Sequence, residues 1–363
     1  MSSIYNNLQF RHLVFTGILL IFIIFGLLMD SCAAMGKHDF IRNISFSPDG
    51  KKILFDRMRN NRHFIIHVYD LETGELSAYQ PPIGEKWNAA RYSFGGKRLV
   101  FKTTPIVGQH WDYTNSQIAI MNPDGKNIKK ITNTRGFKVA PSFSHSGKKI
   151  IYGQAGMIRE SGRAPATEYD VYEVDIGSGR ETRLTRFKFY MMSDPYYFPD
   201  DKTFIFSAES PFAYPGIPDN DRDALRRIRE EFKSRYQDNT IFVMREGEKT
   251  LKPFIELNEY SSSPVLSADG SVLIFQAQAY KPDGSGDFGQ FFVYSPDGKH
   301  RRITHLRATS IWSQAISPDG KFLAVVYDVA PAREINRIII YRVADGTGKE
   351  ISLPDQPSRI INQ

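Results

Sequence analysis

Residues 44–56 read ISFSPDGKKILFD. A short strand, Ile44-Ser45-Phe46, runs into Ser47-Pro48-Asp49-Gly50, and the apolar run Ile53-Leu54-Phe55 leaves it. Pro48 presets φ near about −65° at the first central position of a tight reversal, and Gly50 can take positive φ. The unit recurs along the chain. ARYSFGGKRLVFK begins at Ala90, PSFSHSGKKIIYG at Pro141, PYYFPDDKTFIFS at Pro195, PVLSADGSVLIFQ at Pro264 and QAISPDGKFLAVV at Gln314. The reversals fall at Gly50, Gly96, Gly147, Asp201, Gly270 and Gly320, with spacings of 46, 51, 54, 69 and 50 residues. Asp201 stands where the other units have Gly; Asp enters the left-handed region more easily than most residues, so the turn should survive with some strain.

Each unit carries a second hairpin, such as FIIHVYDLETGELSAY from Phe64, DVYEVDIGSGRETRLT from Asp170 and RIIIYRVADGTGKEIS from Arg337. Two hairpins make four strands. Four-stranded sheets repeating every 40 to 50 residues or so are the mark of a β-propeller. A β-sandwich has no reason to repeat one turn six times. The expected fold is therefore all-β, a six-bladed propeller over residues 40–355, with a tail at 356–363. Ser358 to Ile361 can add to a sheet edge or fray.

The run P-x-F-S-P-D-G-K-x-I-x-F, then D-I-Y-x-x-D and R-L-T, resembles the TolB-type propeller repeat. The fit is clearest at Pro141 to Tyr152, Tyr169 to Asp175 and Arg183 to Thr185. The same repeat builds the propellers of prolyl oligopeptidases. The resemblance implies the repeat type over residues 40 to 355. Neither a hydrolase domain after these repeats nor an α/β domain of the TolB kind before them is expected, so neither peptidase activity nor TolB's partners are carried over.

The N-terminus supplies the address. Residues 13–29, LVFTGILLIFIIFGLLM, are free of charge and follow Arg11 and His12. A cationic start before an apolar core is an export signal, and its length is at the short limit for a spanning helix. Met29-Asp30-Ser31-Cys32-Ala33-Ala34 resembles the lipobox of bacterial lipoproteins. Ser31 and Cys32 fit, whereas Met29 and Asp30 depart from it. Residues 1–36 thus read as a lipoprotein signal with Cys32 lipidated, an uncleaved signal anchor, or an ordinary cleaved signal. All three place the propeller in the cell envelope, facing the periplasm or exterior.

Composition narrows the function. The net charge is +7, but Lys and Arg form only short runs, with no basic stripe interleaved with aromatics, so a nucleic-acid partner is not expected. One cysteine allows neither an internal disulfide nor a Cys-based metal site. There is no G-x-S-x-G and no H-E-x-x-H. His63 and His67 on one strand would stand about 13 Å apart, too far for one metal. No metal and no cofactor is expected.

Two places remain for function. The first is the funnel, where the innermost strands line the central channel. Their entries nominate Trp87, Asn88, Lys138, Asp194, Tyr196, Tyr260 and Trp312. Aromatics there can anchor a sugar or a peptide, or simply wedge neighbouring blades together. The second is the long interval of blade 4. Residues 208–238 read as a loop followed by a helix from about Asp221 to Tyr236, with Leu225, Ile228 and Phe232 on one face as a partner surface or a packing stripe. The leading expectation is a non-catalytic scaffold presenting a face or funnel to an envelope protein or cell-wall glycan. The alternatives are a glycan-active lyase or hydrolase working in the funnel, and an extracytoplasmic sensor on a signal anchor.

Overall fold

The computed structural model describes residues 39–59, 64–157, 166–209, 211–236, 239–254, 261–280, 286–308, 310–328 and 336–363. Six antiparallel sheets follow one another around an axis. Their innermost strands are Asp39–Phe46, Glu85–Tyr92, Phe137–Phe143, Met192–Tyr197, Ser261–Leu266 and Ser310–Ile316. Each begins a blade, and the chain meanders outward from it. The chain is a six-bladed β-propeller. Blades 1, 2, 3, 5 and 6 have the expected four strands in order. In blade 4 three strands are described, and the bridge between Phe242 and Pro253 stands in the fourth position.

The core lies in the seams between blades, because each sheet buries both faces. Leu54, Ile66 and Val68 of blade 1 meet Trp87, Leu99 and Phe101 of blade 2. Ile53 and Phe55 meet Ala324, Val326 and Ile338 of blade 6. The seam between blades 3 and 4 is aromatic, with Phe187, Phe189, Phe204, Phe206 and Phe242 in contact.

The recurring motif residues have mechanical roles. In the reversals, the Ser47 hydroxyl bonds the Asp49 carboxylate at 2.5 Å and accepts from the Lys52 N–H at 2.9 Å; Ser267 with Asp269 and Ser317 with Asp319 repeat this. These hydrogen bonds hold the Asp carboxyls below their ordinary range, and that of Asp269 falls to about 2. The threonine of each R-L-T run ties the outer strand to its neighbour. Thr132, Thr185 and Thr304 accept from the N–H groups of Ile118, Val171 and Phe291 and donate to Gln117, Asp170 and Gln290.

Asp201 has φ +53°, the left-handed geometry its position requires. Its carboxylate accepts from the N–H groups of His145 at 2.6 Å and Ser146 at 3.0 Å. An acid in place of Gly thus fastens the reversal of blade 4 to that of blade 3.

The C-terminal segment adds to an edge. Arg359–Ile360 pairs in parallel with the outermost strand of blade 1, Leu76–Tyr79. Arg57 grips Asp39 with two nitrogens and also donates to the Pro354 carbonyl at 2.7 Å. Helix α1, Arg222–Tyr236, lies within the predicted insertion. Its cap is Asp221, which accepts from the Ala224 N–H at 3.0 Å and so satisfies a first-turn donor. Among the described residues no helix is long and apolar enough to cross a membrane; residues 13–29 and Cys32 lie outside them.

Candidate ligand site in the funnel

Every innermost strand carries a break in register, at Arg42/Ser45, Asn88/Arg91, Val139/Ser142, Ser193/Tyr196, Ser262/Val265 and Ile311/Ser313. In five blades the break holds a non-glycine residue at positive φ: Asn43 +53°, Ala89 +57°, Ala140 +47°, Asp194 +51° and Ser263 +54°. A bulge of this kind re-aims the chain. Here all five strained residues line one cavity of about 310 Å³ on the axis, to which all six blades contribute. Blade 6 supplies Ile311, Trp312, Ser313 and Gln314.

The reversals form a floor below it. The rings of Phe94 and His145 stack at 3.8 Å, and His145 Nε2 lies 2.6 Å from the Ala268 carbonyl, joining blades 3 and 5 past blade 4. Ala268 in turn donates to the Pro318 carbonyl at 2.9 Å. Above this, Arg91 of blade 2 reaches Asp194 of blade 4 at 3.1 Å, and its guanidinium lies 4.5 Å from the Tyr196 ring centre.

Three of the nominated residues line the cavity: Asn88, Asp194 and Trp312. Tyr196 sits behind, as the platform for Arg91. Trp87 takes the wedge role weighed from sequence. It is 1% exposed, packs 4.9 Å from Phe101 in the seam and donates from Nε1 to Glu85. Lys138 is fully buried, and its ammonium donates to the carbonyls of Thr134 at 2.6 Å and Ser116 at 3.3 Å, stitching blade 2 to blade 3. Tyr260 lies outside the described residues. On helix α1, Leu225 is buried and Ile228 half-buried, while the Phe232 side chain lies outside the described residues. A groove of about 550 Å³ runs beside this helix, lined by Phe212, Leu225, Arg222, Arg226 and Arg229 among others.

Sequence reasoning missed Lys102. The residues nominated from sequence stand at the entries of the innermost strands, whereas Lys102 projects from the second strand of blade 2, Leu99–Val107. The last letter of ARYSFGGKRLVFK was the available signal, because the aligned positions of the other units hold Asp, Gly, Ser, Gln and Val. Lys102 is 6% exposed and lines the cavity. Burial drives its ammonium down to about pH 8, against a pull from Asp56. Asp56 itself is pushed up to about 6 by burial, although Asn43 Nδ2 and the Ala89 N–H both donate to it. Lys86 is held well below its ordinary range by burial and by Lys102, with its ammonium 3.6 Å from the Trp111 ring centre. The inner part of blades 1 and 2 thus concentrates buried positive charge.

No family model matches this chain, and no curated protein matches it. Solved structures do. Oligogalacturonate lyase in complex with manganese is 16% identical, with a TM-score of 0.54, over 88% of this chain and 79% of that one. The β-propeller domain of the Trilobed protease from Pyrococcus furiosus, described as having an open velcro topology, is 12% identical with a TM-score of 0.53, over 88% of this chain and all of that one. TolB from Acinetobacter baumannii gives 14% identity and a TM-score of 0.45 over 88% of this chain and 69% of that one. The likeness is one of fold. Among the described residues, no group of three or more His, Cys, Asp or Glu is gathered as a metal site.

Proposed function

We propose that this chain is a non-catalytic binding propeller of the cell envelope, and that it takes part of a protein or glycan partner into the funnel cavity. The observation that carries the reading is the convergence of five left-handed, non-glycine residues on that one cavity. Such backbone strain costs on the order of 1–3 kcal/mol at a residue and gathers at ligand-holding sites. A volume of about 310 Å³ is at the small end for ligand pockets, which run from about 300 to 1,000 Å³. It suits one sugar ring or one side chain of a larger partner. Only two titratable groups line it among the described residues, Lys102 and Asp194, and Asp194 is paired with Arg91. That supports binding over acid–base chemistry, which needs a base and an acid in reach of one substrate. The envelope address rests on the apolar segment after Arg11 and on Cys32, with lipid or anchor as the tether.

A photo-crosslinking residue placed at Ile311, on the cavity, and at Lys349, on the outer edge of blade 6, tests this in intact cells. Adducts to one protein or glycan from position 311 and none from 349 are expected. Adducts from 349 alone, or from neither, overturn the funnel as the site. The mass of the mature N-terminus tests the tether: an N-terminus beginning at unmodified Met1 removes the lipid.

A further inference from the structure

The last register pair before each bulge places a second-strand residue at one repeated station: Asp56 opposite Arg42, Lys102 opposite Asn88, Gly153 opposite Val139, Ser207 opposite Ser193, Gln276 opposite Ser262 and Tyr327 opposite Ile311. Two of these show what the station does for the ring. Asp56 accepts from the Ala89 N–H of the next blade at 3.0 and 3.1 Å, and Ser207 accepts from the Ser263 N–H of the next blade at 3.3 Å. Each is an acceptor that ties a bulge to its neighbour. Lys102 holds the same station, and an ammonium has three donors and no acceptor. It cannot make the tie.

Lys102 also makes no hydrogen bond and no ion pair to any described residue; its one close partner is the Phe137 ring, 4.5 Å from the ammonium. Asp56, the acid that acts on it from behind the lining, is engaged by Asn43 and Ala89. Asp194, the acid on the cavity lining, is engaged by Arg91. A buried cation without a bound counter-charge is costly unless something supplies one. Next to Lys102 on the lining, Asn88 is a further polar group with an unspent valence. Its Oδ1 is buried and has no hydrogen-bond partner.

We infer that the funnel cavity is a carboxylate site, in which the acid group of the ligand pairs with the Lys102 ammonium and a neighbouring hydroxyl or amide of the ligand meets Asn88. This rests on the funnel being the binding site and adds the chemistry of what enters it. The ligand is one that bears a carboxylate beside a hydrogen-bonding group, as an acidic sugar or an acidic side chain does.

Calorimetric titration of the purified chain with two matched pairs tests the inference: D-glucuronate against D-glucose, and N-acetylglutamate amide against N-acetylglutamine amide. The acid of at least one pair should bind about tenfold or more tightly than its neutral partner, as a charge-assisted bond requires, and the pair that responds identifies the source. In Lys102→Met the preference should vanish. Equal binding of acid and neutral partner, a preference that survives in Lys102→Met, or no binding by either acid overturns the inference. Equal binding of a neutral ligand that is lost when Ser263→Trp fills the cavity leaves the funnel reading standing and removes only the charge. A second measurement needs no variant: acylation of Lys102 by a small amine-directed reagent, read by peptide mass, should slow when the preferred acid is present, and an unchanged rate contradicts the pairing.

Discussion

Replacing Lys102 by Met should make the protein more stable. The methionine side chain ends one atom short of the ammonium, so it keeps most of the apolar stem and loses the charge together with its contact with the Phe137 ring. Burial lowers the ammonium from 10.5 to about 8. At about 1.4 kcal/mol for each tenfold, holding the charged form in the folded chain at neutral pH costs about 3 kcal/mol. The change also relieves Lys86, whose proton Lys102 repels, and takes a nearby cation from Asp56, which offsets part of the gain. A net gain of about 2–3 kcal/mol remains, or several degrees in the unfolding midpoint. The pH dependence is the discriminating part. Below about pH 8 both folded and unfolded wild-type chains carry the proton, and the folded state bears the whole penalty. Between about 8 and 10.5 the unfolded chain holds more protons, so wild-type stability rises with pH. The advantage of Lys102→Met is therefore largest near pH 7 and shrinks by more than half near pH 9.5. Urea unfolding followed by tryptophan fluorescence at both values measures it. A variant less stable than wild type at pH 7, or a gap that does not narrow with pH, refutes the reasoning.

Other perturbations separate structural from binding roles. Trp87→Ala should cost about 3–5 kcal/mol by emptying the seam between blades 1 and 2 and leave ligand affinity in the folded fraction unchanged; lost affinity in folded protein would return Trp87 to the site. Ser207→Ala removes an acceptor for the Ser263 N–H and a partner of Ser193, with an expected loss of about 1–2 kcal/mol in chemical denaturation. Truncation after Pro357 removes the bonds from Ser358 and Ile361 to blade 1 and the paired amide of Asn362 with Gln80. A loss of about 2–4 kcal/mol is expected, together with concentration-dependent association in sedimentation as the edge at Leu76–Tyr79 opens; a truncated chain as stable and monomeric as the parent contradicts this.

Much of the architecture was legible because it is periodic. The six reversals fixed blade number and strand order, and a non-glycine left-handed residue was correctly expected at Asp201. The helix was placed to within a residue at its start, since capping acids precede an apolar stripe. The funnel was only half legible. Asn88, Asp194 and Trp312 lie on the cavity because the entries of the innermost strands do line the channel. Trp87 and Lys138 face sideways, since alternate residues of those strands point into the seams, and size or charge alone does not reveal which. Lys102 escaped because its meaning lies in register: nothing local distinguishes it from a solvated lysine until its station is matched with Asp56 and Ser207. The strands' left-handed bulges at Ala89, Ala140 and Ser263 have no signature in residue type.

The strand that closes blade 1 from the far end of the chain bears on how the ring is assembled. Ser358 and Leu76 are separated by 282 residues along the chain, and the outer edge of the first blade stays bare until five further blades exist. Contacts so distant in sequence form late. While the chain is being made from its N-terminus, blade 1 spends the longest time with an unpaired edge. The stretch around Leu76–Tyr79 is where a chaperone has most to shield, and where interrupted folding would most readily end in edge-to-edge aggregation.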